Sequence, residues 1–80
     1  MDDGDDVPLG DRELDVMGVL WELGSGTVAE VREQLRQRLP ADLAYTTVLT
    51  ILRNLERKGV VEHAVEGQAH RYRPRVARAG

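Results

Sequence analysis

The stretch Ala44-Tyr45-Thr46-Thr47-Val48-Leu49-Thr50-Ile51-Leu52-Arg53-Asn54-Leu55-Glu56-Arg57-Lys58-Gly59 carries two patterns at a single period. At about 100° per residue, Ala44, Val48, Ile51, Leu52 and Leu55 fall on one side of a helix, the spacing of a core face. Thr46, Thr50, Arg53 and Arg57 fall on the other, flanked by Thr47 and Asn54. A face kept only for solubility favours Glu, Lys and Gln, which form helices well. Threonine instead weakens a helix through its stiff χ1. Hydroxyls in the N-terminal half and guanidinium groups further along suit a helix lying in a DNA major groove. There Thr meets the thymine methyl and Arg grips guanine or phosphate. The helix is predicted over 44–58, capped by Asp42 or a residue nearer Ala44 and closed by Lys58 and Gly59.

Upstream, Leu9-Gly10-Asp11 reads as a helix entry, with Asp11 as cap and Glu13 in the first turn. Leu14, Met17, Leu20, Trp21 and Leu23 are expected to form its buried face, and Gly24 to end it. Ser25-Gly26-Thr27 reads as a connector. Thr27 and Glu30 spell a capping box for a second helix, whose apolar line is Val28, Val31, Leu35 and Leu39. Arg32, Arg36 and Arg38 lie off that line, and Pro40 ends the segment.

Downstream of Gly59 the period turns extended. Val60 to Val65 reads as one strand, Glu66-Gly67 as a tight turn, and Gln68 to Arg73 as the return strand, stopped by Pro74. A lone hairpin is marginal in water, so Tyr72 and one register of the valines should pack on the helices. The predicted fold is mainly α with a small β-hairpin. It is a winged helix-turn-helix, three helices followed by a two- or three-stranded wing over 60–74.

Eighty residues allow one small domain, and the absence of cysteine removes disulfides and thiolate metal sites. No run is long enough to span a membrane and the N-terminus is acidic, so a cytoplasmic location is expected. The net charge of −3 conceals a segregation. Residues 1–30 hold nine acids and one base, residues 31–80 five acids and ten bases. The acids concentrate at Asp2, Asp3, Asp5 and Asp6, in a segment 1–8 expected to be a disordered tail. The domain is expected over 9–76, with 77–80 frayed.

Four blocks, in order, resemble the penicillinase-repressor family (BlaI/MecI/CopY). They are Leu9 to Met17 with Val19-Leu20-Trp21, Leu43 to Leu52, Lys58-Gly59-Val60-Val61, and Ala69-His70-Arg71-Tyr72. The resemblance covers residues 9–76. It implies a bacterial winged-helix transcriptional repressor that binds a dyad operator in double-stranded DNA as a homodimer. In the family a membrane sensor protease can inactivate the repressor by cleavage. Members usually continue in helices that dimerise and carry the cleavage site; these eighty residues stop short of that region, as an isolated DNA-binding domain or a shortened member would, and they hold no paired cysteines like those in the metal tail of the copper-responsive branch.

Thr46, Thr47, Thr50 and Arg53 are expected at or near base edges, and Tyr45 and Arg57 at phosphates. Gln68, His70, Arg71 and Arg73 are the wing candidates for backbone or minor groove. Two other functions compete. A protein-interaction winged helix would dock its partner on the same third helix, with more apolar residues on the outer face than Leu49 alone. A metal-responsive regulator would use His63 and His70, directly opposite each other if the turn is Glu66-Gly67, with Glu62 or a water as a further Zn²⁺ or Cu²⁺ ligand. Two histidines without a third firm ligand favour neither metal nor cofactor. No constellation of nucleophile, phosphate loop or paired carboxylates points to an enzyme.

Overall fold

The computed structural model describes residues 8–77. Residues 1–7 of the expected tail and residues 78–80 of the expected frayed end lie outside them. Element order is α1 (Asp11–Leu23), β1 (Gly26–Thr27), α2 (Val28–Arg38), α3 (Tyr45–Arg57), β2 (Val61–Glu66) and β3 (Ala69–Pro74). The three strands form one antiparallel sheet in the order β1-β3-β2.

Each helix boundary has a local cause. At α1 the N-cap is Gly10, in place of the expected Asp11, because the Glu13 carboxylate reaches back to accept the Gly10 amide at 2.8 Å. Asp11 then sits inside the first turn, where an acid favours the helix dipole. Gly24, at φ 84°, ends the helix and donates to the Leu20 carbonyl. The Thr27-Glu30 capping box is reciprocal, Glu30 N donating to Thr27 Oγ1 at 3.2 Å and Thr27 N to Glu30 Oε1 at 3.0 Å. At the end of α3, Gly59 adopts φ 82°, and the Gly59 and Val60 amides bond back to the Glu56 and Leu55 carbonyls as a Schellman closure.

The core joins Val16, Met17, Val19 and Leu20 of α1, Val31 and Leu35 of α2, and Val48, Ile51, Leu52 and Leu55 of α3 to Val60, Val61 and Tyr72. Among the described residues no polar or charged side chain is buried apart from the tyrosine. Three expectations are corrected here. On α1 the buried group is centred on Val16 and Val19 as well as Met17 and Leu20, while Leu14 and Leu23 are exposed, one on the far side of the helix and one at its end. Ala44 is exposed, because the helix begins at Tyr45 and Ala44 is its extended N-cap. Leu49 is half-buried against the core instead of standing on the outer face.

The presumed connector Gly26-Thr27 is a strand, pairing Gly26 with Tyr72 and Thr27 with Arg71. The hairpin turn is Gly67-Gln68, one residue later than expected, with Gly67 at φ 61° in the left-handed region that a tight two-residue turn requires. His63 therefore faces Tyr72, and Val65 faces His70. The two histidines are diagonal neighbours, not an opposed pair.

Candidate nucleic-acid interface

Helix α3 sorts its residues by face. Val48, Ile51, Leu52 and Leu55 are buried, while Thr46, Thr47, Thr50, Arg53 and Arg57 are all exposed. Tyr45, at the first turn, is 50% exposed. The stripe is thus fixed by its buried counterpart and presents hydroxyls, then guanidiniums, along one side. Arg57 Nη2 donates to Asn54 Oδ1 one turn back, which steers the guanidinium along the helix surface. No side chain caps the start of α3, so its first amides remain open to an anionic partner.

On the flank of α3 that turns to the wing, Glu56 Oε2 lies 2.6 Å from His63 Nδ1. The His63 ring stacks on His70 at a centroid distance of 4.8 Å and tilts against Tyr72 at 5.3 Å. Burial, first of all, pushes the Tyr72 hydroxyl above its ordinary range, with the Glu56 charge adding to it. The nearby Arg53 guanidinium pulls the other way.

The wing has two unlike faces, since strand side chains alternate. Val61, His63, Val65, His70 and Tyr72 share the face that meets α3. Arg71 and Arg73 share the opposite one with Glu62 and Glu66. Arg73 Nε donates to Glu62 Oε2 at 2.5 Å. Arg71 Nε bonds the Glu66 carboxylate, and its Nη1 bonds Glu30 Oε1 at 3.1 Å and Ser25 Oγ at 3.4 Å. Of the wing candidates, His70 adjoins the α3 stripe through His63 and Gln68 stands exposed in the turn. Arg71 and Arg73 are drawn to the other side and occupied by acids. The sequence offers His63 only as a metal ligand paired with His70 and does not single out Glu56, because their contact depends on a register set by the turn.

All three arginines of α2 are also engaged within the domain. Arg32 Nε donates to the Leu43 carbonyl at 2.8 Å and Arg36 pairs with Glu33. Arg38 pairs with Glu22 of α1. Among the described residues no group of three His, Cys, Asp or Glu is placed to hold a metal ion, and no helix is long and apolar enough to cross a membrane.

Three helices, a β-hairpin folded against the third, and an exposed Thr/Arg stripe define a winged-helix domain. Comparison with known proteins then fixes the lineage: the family model described as penicillinase repressor matches residues 9–80, and the chain belongs to that family. The transcriptional regulator BlaI of Mycobacterium tuberculosis is 46% identical in an alignment of 67 residues that covers 82% of this chain and 47% of that protein. The chain therefore spans about half the length of the curated relatives it matches. The solution structure of the DNA-binding domain of the repressor BlaI has a TM-score of 0.76 at 31% identity, covering 88% of this chain and 83% of that one. The Bacillus licheniformis BlaI in monomeric form, in complex with the blaP half-operator, has a TM-score of 0.72 at 30% identity, covering 90% and 85%.

Proposed function

We propose that this chain is the DNA-reading domain of a transcriptional repressor, with α3 in the major groove and the wing against the adjoining backbone. The observation that carries this is the exposed stripe Thr46, Thr50, Arg53 and Arg57 on a helix whose opposite face is wholly core. Thr46, Thr47, Thr50 and Arg53 contact base edges, Tyr45 and Arg57 contact phosphates, and Gln68 and His70 reach the backbone from the wing. Arg71 and Arg73 are the weaker wing candidates, being paired with acids. The half-operator complex of a 30% identical relative supports recognition of one half-site by one domain. Two copies on a dyad operator complete the repressor, in the cytoplasm, and a membrane sensor protease is the candidate inducing system.

Fluorescence anisotropy with a duplex from the chain's own upstream promoter tests this, against a scrambled duplex at two salt concentrations. Specific binding with a log-log salt slope of about −0.9 per neutralised phosphate is expected. No binding to either duplex at the lower salt concentration would instead favour the protein-interaction function.

A further inference from the structure

An acid on the wing-facing flank of a DNA-reading helix is electrostatically out of place, since it faces the same polyanion that its neighbours Arg53 and Arg57 would attract. Glu56 is such an acid, half-buried and committed to His63 at 2.6 Å. Along β2 only Val61 is buried, and from His63 outward the hairpin leaves the body of the domain. The outer wing is then braced from two sides, by His63 on Glu56 of α3 and by Arg71 on Glu30 of α2. His70 stacks on His63, and Val65 lies directly across from His70, so the tip of the α3-facing side is carried on that first brace.

Resting on the DNA-reading function proposed above, we infer that Glu56 and His63 are positioning residues, whose hydrogen bond sets the wing against α3 so that His70 reaches the DNA strand beside the groove. Glu56 acts through its acceptor oxygen, and its charge opposes the DNA. This reverses the sign expected from charge alone, by which removing an acid beside phosphates tightens binding.

The test compares Glu56→Ala, Glu56→Gln and His63→Ala in the full chain, by anisotropy on promoter duplex and by ethylation interference at each phosphate. Glu56→Ala and His63→Ala are expected to bind about five- to tenfold more weakly and to lose interference at the wing-side phosphates, with base discrimination by α3 retained. Glu56→Gln keeps an acceptor for the imidazole N–H without the charge, and is expected to bind at least as tightly as the parent. Unaltered or tighter binding by Glu56→Ala would overturn the inference, as would an equal loss in Glu56→Gln. Circular dichroism melting, expected to move little because the pair is partly exposed, identifies a variant that fails through folding. In that event a double-mutant cycle of Glu56→Leu with His63→Phe, neither of which can make the hydrogen bond, decides, an additive outcome overturning the inference and a coupled one supporting it. A parent chain that ignores promoter DNA at every salt would refute the DNA-reading function itself, a result distinct from any of these.

Discussion

One carboxylate oxygen, Oε1 of Glu30, accepts both the Thr27 amide that begins α2 and, at 3.1 Å, the guanidinium of Arg71 from the middle of β3. A helix cap and a strand are thereby joined at a single atom. The Glu30 carboxyl is held below its ordinary range, foremost by the Thr27 amide and further by Arg71. Arg71→Ala is expected to lower the urea midpoint of unfolding while leaving discrimination between promoter and scrambled duplex as it was. A variant with full stability and lost discrimination would return Arg71 to the DNA contacts.

Removing the cap itself should be felt more directly. Thr27→Ala deletes the oxygen that accepts the Glu30 amide, and is expected to cost about 0.5–2 kcal/mol of stability. For a domain of this size, each kcal/mol corresponds to roughly 4–8 °C in the thermal midpoint. Differential scanning calorimetry reads the shift, and an unchanged midpoint would mean that the packing of Val28 and Val31 alone fixes the start of α2.

Acid should loosen the junction of α1 with the end of α3. Lys58 Nζ lies 2.7 Å from Glu13 Oε1, and that hydrogen bond, then the Gly10 amide, holds the Glu13 carboxyl below its ordinary value of 4.5. A carboxylate lowered in the folded state contributes stability above its unfolded pKa, and that contribution is lost as pH falls through the folded value. Stability is therefore expected to decline below pH 4.5, with Glu13→Gln starting lower at neutral pH and declining less. Urea titrations at pH 7, 5, 4 and 3 give the comparison, in which parallel curves for parent and variant would dismiss the linkage.

Arg53 tests the reading stripe. Its exposed guanidinium stands between the exposed threonines and Arg57, and Arg53→Ala is expected to lose roughly 1–3 kcal/mol of specific binding at fixed salt. Binding to scrambled duplex should change less, because Arg57 and the uncapped start of α3 still meet the phosphates. Equal losses on both duplexes would reduce Arg53 to a backbone contact.

What the sequence disclosed was whatever repeats locally. The two faces of α3, the Thr27-Glu30 box and the closing glycines 24 and 59 are each written within a few consecutive residues, and each stands in the fold as expected. Ala44 was misplaced because an apolar residue at the right period is no guide to where a helix begins. The turn moved by one residue because Glu66-Gly67 and Gly67-Gln68 both contain the glycine, and only the backbone shows that Gly67 comes first. That slip slid each cross-strand partner along by two residues, yet kept His63 and His70 on one face, where they stack. The engagement of Arg71 and Arg73 by acids depends on strand and helix neighbours far apart in the chain, so composition alone made them look available.

The two-residue strand β1 limits how the domain can be rebuilt. Gly26 pairs with Tyr72 and lies so close to Val31 that an added Cβ would meet its Cγ2 at 3.1 Å. Lengthening the segment between Leu23 and Val28 by one residue would slide that pairing and drag the central tyrosine with it, whereas extra residues at the hairpin tip would merely extend it into solvent. Anyone grafting new specificity onto this scaffold should splice at Gly67-Gln68 and leave the Ser25-Gly26-Thr27 hinge of the sheet untouched.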